Sequence, residues 1–209
     1  MAIIPKAFAL TPIANDVDYI STTETLTTPW ALQLDGILSF ATPQHITITT
    51  TSDETAATFT VVGTDFQDQV LTEGITGPNN SVVVSLNNYK TITSITSTHN
   101  ATGVTAGVNG TCESRWYVLN YRGWDFNVGI GVGISSGGGM TYAVEHTFDN
   151  VFASTFTQSG AVAYDHDTLT GKTVNAHSTY TSPPTAMRLK ITAYTSGTGT
   201  MNVVQNGGA

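Results

Sequence analysis

The chain has 209 residues, of which 40% are hydrophobic and 11% are charged, and its net charge at pH 7 is -8. That length can form one large β domain or two small sandwiches, each with a buried core. Its seven Lys and Arg residues are few and scattered. Because binding to a phosphate backbone needs clustered cations, a nucleic-acid partner is not expected.

The charged fraction is well below the roughly 25% usual in soluble domains, and Thr, Ser, Asn and Gly take the place of the missing charges. A neutral polar surface loses less hydration free energy than a charged one when it is covered. The composition therefore favours a protein that packs against copies of itself or against partners.

The N-terminal end has no secretory or transit signal, and no apolar run approaches the length of a membrane span. We therefore expect synthesis in the cytoplasm and no membrane partner. Cys112 is the single cysteine, so no intrachain disulfide is possible, and a small buried side chain is expected there.

Residues 1–30 are predicted to form an extended N-terminal arm. Pro5, Pro12 and Pro29 interrupt the segment, and it lacks helical periodicity. Such an arm usually crosses a neighbouring subunit. Its expected contacts are the apolar side chains Ile3, Ile4, Phe8 and Leu10.

Residues 44–98 contain short β-branched runs in which apolar side chains alternate with Thr or Ser. Turn-forming strings separate the runs: Gly63-Thr64-Asp65, Gly77-Pro78-Asn79-Asn80 and Asn87-Asn88. This period of two predicts half-buried strands. With the flanking residues 28–40 and 104–108 it gives seven or eight strands, enough for an antiparallel sandwich over residues 31–112.

The domain boundary is predicted between residues 109 and 114, where aromatic residues become frequent. The rings that follow are Trp116, Tyr117, Tyr121, Trp124 and Phe126. Trp and Tyr anchor cores and protein interfaces, and we expect the first four to do so here. The alternative is a platform on which sugar rings stack.

The remaining strands pair, by their alternation and glycine turns, into two predicted hairpins. The first joins residues 126–134 to residues 140–148, and the second joins residues 186–194 to residues 201–205. We therefore expect an all-β chain of two antiparallel β-sandwich halves, jelly-roll or Ig-like, with the second half at residues 113–209.

Gly129, Gly131 and Gly133 alternate with β-branched residues, and no helix is predicted after them. This excludes a nucleotide-binding loop, which needs a strand, a loop and a helix in that order. We interpret the glycines as one strand face that a second sheet, an aromatic ring or a neighbouring chain can approach closely.

No enzymatic motif is present, and we expect no catalytic residue, metal or cofactor. Asp165-His166-Asp167 is the densest polar triplet. On a strand its central residue points away from the other two, which argues against three ligands for one metal. Acidic loops at Asp16 with Asp18, Asp53 with Glu54, and Asp65 with Asp68 could bind calcium, although solvated loop acids are the favoured interpretation.

The chain resembles small all-β virion proteins of tailed bacteriophages. The strings that carry the resemblance are Gly63-Thr64-Asp65, Glu73-Gly74-Ile75-Thr76-Gly77-Pro78-Asn79, Tyr89-Lys90-Thr91-Ile92-Thr93-Ser94-Ile95, Val144-Glu145-His146-Thr147-Phe148-Asp149 and residues 126–134 and 186–205. The resemblance implies a structural role in the virion, as an oligomeric capsid decoration or cement protein or as a neck or tail accessory protein. The implied partners are copies of itself and major capsid, portal or tail proteins. The alternative is a receptor- or carbohydrate-binding module on a phage appendage.

Overall fold

A computed structural model describes residues 5–28, 30–35, 39–120 and 126–205. These residues contain strands, turns and loops but no helix, so the expected all-β class is confirmed. In particular, none of the described residues forms a helix capable of crossing a membrane. The chain divides into two compact units: Pro12–Cys112, and Met1–Thr11 together with Glu113–Ala209.

The described residues form fifteen strands. In chain order they are β1 (Lys6–Leu10), β2 (Asp16–Leu26), β3 (Ser39–Thr49), β4 (Thr58–Thr64), β5 (Val70–Thr76), β6 (Val82–Ser97), β7 (Ala101–Val108), β8 (Cys112–Glu113), β9 (Tyr117–Val118), β10 (Val128–Ile134), β11 (Gly139–Thr147), β12 (Tyr164–Asp165), β13 (Ala176–Tyr180), β14 (Ala186–Ser196) and β15 (Gly199–Gln205).

The unit Pro12–Cys112 contains a six-stranded antiparallel sheet in the order β2-β7-β3-β6-β4-β5. Its buried face follows the predicted alternation, with Ile46, Ile48, Phe59 and Val61 fully buried. The strands predicted in residues 44–98 are thus confirmed, although β3 is buried on both faces over residues 42–48.

The turn predicted at Asn87-Asn88 is wrong, because β6 continues through it. The pairing of β3 with β6 shifts there, from His45 opposite Asn88 to Thr47 opposite Val84. The Glu73 carboxylate accepts hydrogen bonds from the backbone amides of Leu86 at 2.6 Å and of Asn87 at 3.1 Å. A side chain from β5 therefore satisfies the amides that this bulge removes from the ladder.

The extended N-terminal arm is not confirmed. Within residues 1–30, β1 pairs with β15 and β2 pairs with β7. The ring of Phe8 contacts that of Tyr117 with centroids 5.0 Å apart, and Leu10 is buried. Both side chains contribute to packing within their own unit, because an extended segment with alternate apolar residues can add a strand to a sheet edge. Ile3 and Ile4 lie outside the described residues.

The unit of Met1–Thr11 and Glu113–Ala209 contains two sheets. The first sheet has four strands in the order β1-β15-β10-β13. The second sheet has five strands: four follow the order β12-β11-β14-β8, and the fifth, β9, also pairs with β14. A Cβ on Gly199 of β15 would lie 2.9 Å from Sδ of Met140 and 3.2 Å from Cδ1 of Ile191, both in the five-stranded sheet. The two sheets therefore pack face to face, as in a sandwich. A jelly-roll or Ig-like topology is not confirmed.

Both predicted hairpins are wrong. Successive strands β10 and β11 belong to different sheets, and so do β14 and β15. The turns between them cross from one sheet to the other and bond to each other, since Ser135 N donates to Thr198 O at 2.9 Å. Alternation identifies the face that each strand buries, but two consecutive strands can bury those faces against each other instead of lying side by side.

Candidate functional site

A cavity of about 270 Å³ lies at one end of the two packed sheets. His146 near the end of β11 and Tyr180 at the end of β13 come from opposite sheets, and His146 Nδ1 and the Tyr180 hydroxyl form a 3.0 Å hydrogen bond. The lining residues are His146, Phe148, His166, Asp167, Thr179, Tyr180, Thr181, Ser182 and Pro184. The cavity is therefore built where strand ends of both sheets converge.

Aromatic rings form one side of this cavity. The centroid of His146 lies 5.4 Å from that of Phe148, 5.8 Å from that of Tyr164 and 5.2 Å from that of Tyr180. Phe148 and Tyr164 also contact each other edge to face at 5.9 Å, and they are 60% and 50% exposed. The group thus combines two half-buried rings with two rings that face solvent.

The imidazole of His146 and the phenol of Tyr180 both favour their neutral forms. Burial lowers the pKa of His146, and the nearby His166 lowers it further, while Asp165 and Asp167 oppose the change. Burial also raises the pKa of Tyr180, and the charge of Asp167 adds to the increase. Desolvation disfavours each charged form, so this side of the cavity is uncharged at pH 7.

His166 is 6% exposed and has an unsatisfied hydrogen-bonding atom. Its Nδ1 accepts a hydrogen bond from the backbone amide of Thr168 at 3.2 Å. The proton of the neutral ring therefore lies on Nε2, and Nε2 has no partner among the residues that the structure describes. A buried donor without an acceptor is costly, and such groups in native proteins call for an explanation.

The triplet of residues 165–167 alternates in exposure as the sequence indicates. Asp165 is exposed at the end of β12 and accepts a hydrogen bond from Thr170 Oγ1 at 3.1 Å, whereas His166 points inward. Asp167 is exposed again but lines the cavity. Within the described ranges, no three His, Cys, Asp or Glu side chains are grouped in a way that could hold a metal ion.

The predicted aromatic anchors Trp116 and Tyr117 lie within the same unit but away from the cavity. Trp116 is 6% exposed, its Nε1 donates to the Gln158 carbonyl at 3.2 Å, and the Arg188 guanidinium lies 4.5 Å from its ring centroid. Tyr117 is half-buried against Phe8. These positions fit anchoring of a core. Tyr121 and Trp124 lie outside the described residues.

Arg188 also belongs to a buried ion network on β11 and β14. Glu145 lies opposite it and accepts hydrogen bonds from Arg188 Nε at 2.6 Å and from Lys190 Nζ at 2.9 Å. A further carboxylate, Glu113, lies 3.9 Å from Lys190 Nζ. Two cations thus meet two carboxylates, so these buried charges compensate one another as a structural network.

The acids considered for calcium have other partners. Asp53 accepts hydrogen bonds from the backbone and side chain of Thr55, and Asp65 accepts from the amides of residues 67 and 69. Asp16 accepts from the Asp18 amide at 3.3 Å, and Asp68 forms an ion pair with Lys90. These are turn contacts and one exposed ion pair.

The three alternating glycines of β10 lie on the face of the four-stranded sheet opposite the core. A Cβ on Gly131 or Gly133 would meet no atom within 4 Å, and one on Gly129 would make only ordinary contacts with Val204. Neither a second sheet nor an aromatic ring of the described residues packs there. The neighbouring residues on this face, by register, are Ala7, Ala9, His177, Thr179, Thr200, Asn202 and Val204.

We call these residues and the three glycines the glycine face. None of them is Asp, Glu, Lys or Arg, and most have short side chains. A sheet face with mostly short side chains and no Asp, Glu, Lys or Arg lets another polypeptide approach the backbone closely at little cost in hydration free energy.

The sequence predicted the glycine face but missed the cavity. The rings come from three separate segments, which hold residues 146 and 148, residue 164 and residue 180, and only the fold brings them together. The one local signal is the polar triplet with Tyr164 before it. In comparisons with known proteins, no family model matches the chain and no curated protein sequence matches it.

Proposed function

We propose that this chain is a structural component of a tailed bacteriophage virion, as an oligomeric capsid decoration or cement protein or as a neck or tail accessory protein. The observation that carries the proposal is the glycine face, which has neither charged residues nor any covering side chain among the described residues. The low charged fraction and the resemblance to small all-β virion proteins support the same role.

The glycine face packs against a neighbouring subunit of the particle. Side chains at alternate positions of a strand normally fill the surface of a sheet, and here the central strand β10 contributes only hydrogen atoms at three successive outward positions. Glycine costs about 0.5–1 kcal/mol relative to alanine inside a strand. Close packing against a partner is possible only where these side chains are absent. The free energy gained in that contact offsets the three glycine costs in one strand.

The partners in this proposal are copies of the chain and one of the major capsid, portal or tail proteins. Repeated subunits arranged with closed symmetry bury the same patch many times, so a modest contact per copy is sufficient. The contact gains about 25 cal/mol per Å² of apolar area before the costs of association.

The experiment is incorporation of Gly131→Glu into virions, with Gly74→Glu as the matched control. Both glycines lie on strands and are at least partly exposed, and neither has a left-handed backbone. Gly74 lies on β5, an edge strand of the six-stranded sheet in the unit Pro12–Cys112. We expect Gly131→Glu to fold and to be lost from particles, and Gly74→Glu to be incorporated. Full incorporation of a folded Gly131→Glu variant would contradict the proposal.

The alternative, a receptor- or carbohydrate-binding module, is favoured by a different observation, the exposed Phe148 and Tyr164 rings beside the cavity. The two roles are compatible, since the glycine face and the cavity share only Thr179, and saccharide binding by the isolated chain distinguishes them.

A further inference from the structure

We propose that the cavity between β11 and β13 binds one ring of a neutral saccharide, which stacks on the exposed Phe148 side chain and bonds through its hydroxyl groups to Asp167 and His166. This inference deepens the carbohydrate-binding alternative and does not depend on the assembly role. It rests on the polar groups of the cavity, its rings and its size.

The polar groups require a ligand that both donates and accepts hydrogen bonds. The Asp167 carboxylate is exposed at the cavity and has no hydrogen-bond or ion-pair partner within the described part of the chain. It is able to accept a hydrogen bond from a ligand, whereas the buried His166 Nε2–H lacks an acceptor. A hydroxyl group can meet either need.

Ammonium and phosphate ligands meet only one of these needs. An ammonium group would pair with Asp167 and with the rings but would leave the His166 donor unsatisfied. A phosphate would accept from His166, but Asp167 and the neighbouring Asp165 would repel it. A polyol is therefore the ligand class that the observed groups favour.

The aromatic side of the cavity suits the carbon face of a sugar. Phe148 lines the cavity with much of its ring exposed, and the edge-to-face contact with Tyr164 holds it in place. An exposed ring loses solvent contact when a flat apolar surface covers it. The volume of about 270 Å³ is just below the usual range for small-molecule pockets, and it is large enough for one sugar ring.

The buried side of the cavity is positioned by both sheets. Tyr180 bonds to His146 across the sandwich and lies 4.7 Å from the His166 ring, centroid to centroid. His166 Nε2 is out of reach of solvent in this structure, so the proposed hydrogen bond to a sugar hydroxyl requires a neighbouring side chain to move. Binding thus satisfies a donor that the protein alone leaves unpaired.

The test starts with a glycan array and continues with calorimetric titration of the methyl glycosides of the sugars that bind. Phe148→Ala is compared with Phe152→Ala, because Phe152 is at least as exposed as Phe148 but does not line the cavity. We expect binding to weaken roughly 2- to 10-fold for Phe148→Ala and to stay unchanged for Phe152→Ala. Likewise, Asp167→Ala should weaken binding while Asp165→Ala, two residues away, should not.

A second readout follows the His166 ring itself. In ¹H–¹⁵N spectra of the imidazoles, a saturating methyl glycoside should shift the Nε2–H resonance of His166, as expected when that donor gains an acceptor. Tetramethylammonium and inorganic phosphate serve as probes for the other ligand classes, and neither should compete with the sugar.

Absence of saccharide binding at millimolar concentration would overturn the inference, as would binding that survives both Phe148→Ala and Asp167→Ala. Preferential binding of tetramethylammonium or phosphate would also contradict it. Failure here is distinguishable from failure of the assembly role, because Gly131→Glu changes the glycine face and should leave saccharide affinity intact.

Discussion

Replacing Gly131 by valine should stabilise the isolated protein and yet remove it from the virion. Gly131 lies in the middle of β10, has no left-handed backbone and leaves the space above its Cα open. Valine suits a strand, and the substitution also removes the entropic cost of glycine. The expected gain in free energy of unfolding is about 0.5–1 kcal/mol, which raises Tm by roughly 1–4 °C for a chain of this size.

The two methyl groups of the introduced valine would project from the glycine face and keep the backbone of a neighbouring subunit from close contact. Thermal unfolding of the purified variant measures the first effect, and its abundance in purified virions relative to the natural chain measures the second. Gly74→Val on β5 is the control, because it changes a strand glycine away from the glycine face. Destabilisation by Gly131→Val would refute the claim that the space above Gly131 is open. Stabilisation together with full incorporation into virions would refute the claim that the chain docks on a neighbouring subunit through the glycine face.

Three further predictions concern the fold and the cavity. Arg188→Ala should lower the free energy of unfolding by about 1.5–3 kcal/mol in urea titrations, because the buried Glu145 carboxylate loses its hydrogen bond to Arg188 and keeps only Lys190; a loss under about 1 kcal/mol would contradict a structural network. The pKa of folded His146 lies below its ordinary 6.5, so as the pH falls the unfolded chain binds the proton before the folded chain does. The contribution of His146 to the free energy of unfolding is therefore fully present above pH 6.5 and should be lost as the pH falls through the folded pKa. His146→Gln should flatten that part of the pH profile, and an unchanged profile would refute the assignment. Gly63→Ala should cost about 1–3 kcal/mol, because its Cβ would collide with a backbone carbonyl of β6, whereas Gly74→Ala should be nearly neutral; equal melting temperatures would contradict this difference.

The fold could be predicted from sequence as far as local alternation determines it. Within residues 44–98 the apolar positions identify strands and their buried faces, because side chains alternate across a sheet with a period of two. The bulge at residues 85–87 could not be predicted in the same way. It depends on the carboxylate of Glu73, which reaches the amides of Leu86 and Asn87 from a different strand.

Strand partners were harder to predict than strands. A glycine turn between two amphipathic strands is compatible with a hairpin and with a crossing between packed sheets. In β10 with β11, and in β14 with β15, the apolar faces meet across the sandwich instead of lying side by side. The N-terminal segment behaves similarly, since β1 completes the edge of a sheet whose other strands lie more than a hundred residues later.

The candidate sites differ in how far the sequence could reveal them. The glycine face depends on one strand, so the spacing of Gly129, Gly131 and Gly133 was enough to predict a bare surface. The cavity depends on rings from three segments and on the unsatisfied Nε2 of His166, which becomes visible only when Thr168 is seen to occupy Nδ1. Long-range convergence of this kind leaves no periodic signal.

The most direct test of the structural role is the number of copies of this chain in purified virions, measured by quantitative mass spectrometry against a major capsid protein. The proposed role predicts a fixed copy number that matches the symmetry of a capsid shell or of a neck or tail ring. A chain that accumulates in infected cells but is absent from purified virions would contradict it.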